Sequence, residues 1–75
     1  MDAFDADTDL ERLMRRWHHT TEFAMAAWAE YQALSDALPA SDRRVVFARS
    51  SWLAAERERR DLMASIERVE AAEAA

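Results

Sequence analysis

The sequence predicts an all-α fold, an antiparallel two-helix hairpin that dimerises into a four-helix bundle, and three features carry that prediction. The 75 residues hold no Gly, one Pro and 17 Ala, a composition that removes the main helix breakers and enriches the best helix former. Two stretches repeat apolar residues at alternating steps of three and four, the spacing that lines one face of a helix. The single proline, Pro39, stands between them. The residue before a proline is pushed out of helical geometry, so the break falls there.

Residues 1–8 read as an acidic flexible arm, because Asp alternates with Ala or Phe without helical periodicity. Thr8-Asp9-Leu10-Glu11 fits a capping box, in which hydroxyl and carboxylate reciprocally satisfy free amide donors at a helix start. From there Leu10, Met14, Trp17, Thr21, Ala24, Trp28, Tyr31 and Leu38 follow the three-four spacing, with Ser35 in the one polar slot. Leu13, Thr20, Ala27 and Leu34 widen this stripe to the broad face of a bundle helix. The first helix is expected over 9–37.

Ser41-Asp42 supplies a new cap. Val45, Ala48, Trp52, Ala55, Arg59, Leu62, Ile66 and Val69 then repeat the pattern, which predicts a second helix over 42–71. Residues 72–75 hold no large side chain and follow Glu70, an acid at the negative end of the helix dipole, so they are expected to fray. The hairpin proper spans 9–71. A short connection forces neighbouring helices antiparallel, and facing residue numbers should sum to roughly 80. That register brings Trp28 to Trp52 and Met14 to Ile66, and sets Arg59 opposite Thr21, within reach of Glu22.

Size and charge bound the function. A chain this short seldom gains more than roughly 3 to 5 kcal/mol from a single core. The absence of Cys excludes disulfides, thiolate metal sites and cysteine nucleophiles. Self-association is the remaining source of stability. No apolar run approaches the roughly 18 residues that span a bilayer, and the first residues lack signal-peptide character; a cytoplasmic protein without membrane contacts is expected. The net charge of -5 is unevenly spread. Residues 1–11 hold Asp2, Asp5, Asp7, Asp9 and Glu11 with no base, a charge of -5, and residues 67–75 add -2, leaving +2 in the middle.

The one constellation resembling a metal site is His18, His19 and Glu22, with Glu56 or Glu58 as conceivable ligands from the second helix. Di-iron bundles use Glu-x-x-His with glutamates facing the core, and here the order is reversed and Glu22 faces away. Solvated histidines are the simpler reading, and no metal or other cofactor is expected. No Gly-rich loop cradles phosphate and no nucleophile has a positioned base, so an enzyme is not expected. Every Arg cluster has acids within a helical turn, which argues against direct nucleic-acid binding.

Aromatic residues off the seam point to the function. Phe23 lies about 120° from Trp17 on a helical wheel, and Phe47 about 140° from Trp52. One hairpin cannot cover both. The sequence therefore predicts a small protein-binding module, an adaptor, regulator or inhibitor, that forms a homodimer and docks on a larger protein. Phe23, Leu34, Phe47, Leu53, Arg43 and Arg44 are its candidate partner-binding residues. Trp17, Trp28, Tyr31, Trp52, Leu62 and Ile66 form the candidate core or dimer interface. A second reading is an acidic inhibitor of the anti-CRISPR kind that phages encode, blocking a nucleic-acid-binding site with its clustered acids; a third is a metal-binding helical bundle.

Overall fold

A computed structural model describes residues 3–75, with side-chain detail from Asp9 onward. It is an antiparallel hairpin of two helices, α1 (Ala3–Ala37) and α2 (Arg43–Ala74), measuring 54 × 16 × 14 Å. The chain is all-α, as its composition predicts.

Helix α1 begins at Ala3, well before residue 9, so Thr8 lies inside the helix and not at its N-cap. Ala, present here at positions 3 and 6, is the strongest helix former, and acids early in a helix are in general favoured by its dipole. The start of the expected arm, Met1 and Asp2, lies outside the described residues. Helix α2 likewise continues to Ala74, beyond the expected end at 71, and the Ala75 amide donates to the Ala71 carbonyl at 3.1 Å.

The turn follows the local chemistry closely. The Leu38 amide closes the last turn of α1 onto the Leu34 carbonyl at 2.8 Å, and the Asp42 amide bonds back to the Pro39 carbonyl at 2.9 Å. Asp42 has extended backbone angles, and its side chain accepts from the Arg44 amide at 2.9 Å. This satisfies one of the four donors that a helix start leaves without an intrahelical partner.

The seam is built from small residues. Ala24, Ala27, Ala48 and Ala55 are buried where the helices meet, with Val45 towards the turn and Leu62 and Ile66 towards the termini. Small contact residues allow helix axes to approach closely, leaving no room for an indole between them. Trp28 is therefore displaced to the edge of the seam and remains 38% exposed. There its ring meets that of Trp52, with centroids 4.5 Å apart, and Tyr31 stacks on Trp52 at 6.0 Å. The facing of Trp28 and Trp52 agrees with the expected register. The Thr20 hydroxyl donates to Glu58 Oε2 at 2.9 Å, two residues from that register.

One expected contact forms differently. Arg59 does not reach across to Glu22: its guanidinium donates two bonds, of 3.1 and 3.2 Å, to Glu56 on its own helix. A partner one turn away requires no bridging of the seam. Ile66 is buried, but Met14 stays half exposed.

Candidate protein interface

The hairpin has two broad sides, and each carries large apolar residues that its own core leaves uncovered. On the first side Phe23 is 60% and Phe47 73% exposed. Leu34 lies eleven residues from Phe23, and Ala54 seven from Phe47, spacings that return to the same side of a helix within about 20°. Two clefts mark this side. The larger, about 570 Å³, is walled by His19, Phe23 and Glu58 and floored by Thr20, Ser51 and Ala54. The other lies nearer the turn, between Glu30, Leu34, Arg43, Arg44 and Phe47. Of the six sequence-predicted partner-binding residues, Phe23, Leu34, Phe47, Arg43 and Arg44 thus share one side. Leu53 is exposed on the back of α2, with Val46 one heptad before it, and does not join them.

On the second side the exposed Met25 and Trp28 line a cleft with Thr21, Trp52, Glu56 and Arg59, and Met14, also exposed, lies eleven residues before Met25 on the same side of α1. Trp17 and Tyr31 are half-buried, Leu62 and Ile66 buried. The Trp17 Nε1 and Thr21 Oγ1 atoms are buried here without hydrogen-bond partners. The spacing of Met14, Met25 and Trp28 is mostly that of a core, yet all three are exposed, and Met25 follows the buried Ala24 directly, at the margin of the buried stripe.

Electrostatics sharpen both sides. Asp42 is held below its ordinary carboxylate value by hydrogen bonds from the Arg44 side chain and amide, and the same pairing raises Arg44. Glu56 is lowered chiefly by the bond from Arg59. Arg16 lies 3.8 Å from Glu58. Arg43 has no ion-pair partner within the hairpin among the described residues.

His18 Nε2 lies 3.7 Å from Glu22 Oε1 on the exposed back of α1. Among the described residues no group of three potential ligands gathers around them or elsewhere, and His19 belongs to the Phe23 cleft instead. No described helix is long and apolar enough to cross a membrane. Comparison with known protein families, with curated proteins and with solved structures finds no match to this chain.

Proposed function

We propose that the chain is a non-catalytic protein-binding module, an adaptor, regulator or inhibitor that acts through the apolar sides of its hairpin. The observation that carries this reading is the set of seven large apolar residues left 38 to 73% exposed among the described residues of so small a fold. Isolated apolar residues on a surface need no explanation, but clusters rimmed by charge mark interaction sites. Leu34 and Phe47 line one such site with Arg43 and Arg44 at its rim, Phe23 lines the next cleft on the same side with Glu58, and Met25 and Trp28 line a third with Glu56 and Arg59. Aromatic residues, Met and Arg are the types enriched where proteins meet.

Photo-cross-linking in the native host tests this reading. A photoreactive residue at Phe23, Phe47 or Met25 is expected to capture protein, and one at Arg57, in a charged stretch of α2, is not. Apolar docking predicts capture that persists as salt rises, because screening acts on charge. Equal capture from all four positions, or capture lost steeply with salt, would contradict it.

A further inference from the structure

We propose that the side bearing Phe23, Leu34 and Phe47 seats a second copy of this chain, packed antiparallel so that the two turns point to opposite ends. This rests on reading the apolar sides as binding surfaces, and it names the occupant of one of them.

The first argument is self-complementarity. A twofold contact must match one surface to itself, each protrusion finding its recess on the same side of the same molecule. Phe47 is the most exposed large apolar residue, and two turns further along α2 lies the floor of Ser51 and Ala54. A twofold axis crossing the hairpin at Ser51 lays α2 over its own mate. It brings Phe47 of each copy onto Ala54 and Ala55 of the other, and by the same rotation sets Phe23 over Leu34. One operation fills both clefts twice.

Charge selects the direction. The axis at Ser51 carries Arg44 of each copy, already paired with Asp42, to the level of Glu58 of the other, and brings Arg43, which has no ion pair of its own among the described residues, to within one residue of that level. It also leaves the acidic segments, -5 in residues 1–11 and -2 in 67–75, overhanging at opposite ends. A parallel pair would lay the two acidic ends side by side. Glu30 of the two copies comes near the axis, a like-charge contact that opposes the pairing, since Arg43 and Arg44, which line a cleft with Glu30, lie about 11 Å from the axis along α2.

The area is sufficient for a reversible dimer. With the axis at Ser51 the copies overlap along about 32 Å at the helical rise of 1.5 Å per residue. Across a width of 16 Å this amounts to about 1,000 Å² for the two surfaces together, the lower bound for a specific interface. The dimer should therefore form and dissociate with concentration.

The chain has no cysteine, so single thiols report the geometry directly. Sedimentation at high micromolar concentration should give twice the chain mass of 8.6 kDa. Phe47→Asp should return it to the single-chain mass with its helical circular dichroism intact, whereas Met25→Asp on the other side should leave the dimer. Ser51→Cys should oxidise to a disulfide-linked pair, and spin labels on Ala40→Cys should lie about 30 Å or more apart, from the same helical rise. A wild-type chain that stays monomeric, a dimer broken by Met25→Asp but not Phe47→Asp, or Ala40 labels in close proximity would each overturn the proposal. A monomer whose capture of a host protein is still abolished by Phe47→Asp would remove the second copy and leave the protein-binding reading standing.

Discussion

Thr20 and Thr21 are neighbours in sequence with opposite energetic roles. Thr20 is buried and donates to Glu58 across the seam, whereas the Thr21 hydroxyl is buried without a partner. Valine has the same shape without the hydroxyl. Thr20→Val is expected to cost about 1 kcal/mol, the net worth of one hydrogen bond, and Thr21→Val to be neutral or to stabilise by up to about 1 kcal/mol; chemical denaturation of the two variants measures both. Asp42 gives a pH-dependent expectation at the same scale. Its folded carboxyl is held below the ordinary value of 3.8 by bonds from Arg44, so its contribution is fully present above that value. The contribution is lost as pH falls through the depressed folded value. Asp42→Asn can still accept a cap bond but cannot titrate, so its melting temperature should fall less than that of wild type on acidification. At neutral pH Asp42→Ala should lower the melting temperature more than Asp42→Asn does.

At the scale of the helices, the small-residue seam decides what each substitution does. Ala48→Leu places a branched side chain where two helices meet closely and is expected to destabilise by about 1 to 3 kcal/mol through overpacking. Trp52 touches both Trp28 and Tyr31, so Trp52→Ala should cost about 2 to 3 kcal/mol, less than a fully buried Trp and more than Trp17→Ala. Equal losses for the two tryptophans, measured by thermal unfolding, would contradict this aromatic cluster. Much of this architecture was legible in the sequence. Pro39 and Asp42 located the turn, and the three-four spacing identified the seam and paired Trp28 with Trp52. The start of α1 was not legible, because Asp residues near a helix N-terminus resemble an unstructured acidic arm and only their fit to the dipole distinguishes the two. Nor was the displacement of the tryptophans to the rim: periodicity assigns a side of the helix, and the four alanines of the seam determine how near the helices come. The separation of Leu53 from the other five candidate partner residues was legible, since six residues at 100° each set it about 120° from Phe47 on the helical wheel.

For the whole molecule, the two sides follow from one fact. A hairpin has a single line of contact, and four of the seven buried apolar residues among those described are alanines, so large residues elsewhere on the helices have nothing of their own chain to cover them. In the proposed dimer, burial against a second copy supplies what the internal core lacks. The proposal therefore links folding to association and predicts a stability that rises with chain concentration. The most direct measurement is thermal unfolding followed by circular dichroism across a hundredfold range of chain concentration, for wild type and for Phe47→Asp. The expected result is a wild-type melting temperature that rises with concentration and a Phe47→Asp melting temperature that is lower and does not move. A wild-type melting temperature independent of concentration would contradict the claim that the Phe23, Leu34 and Phe47 side is covered by a second copy.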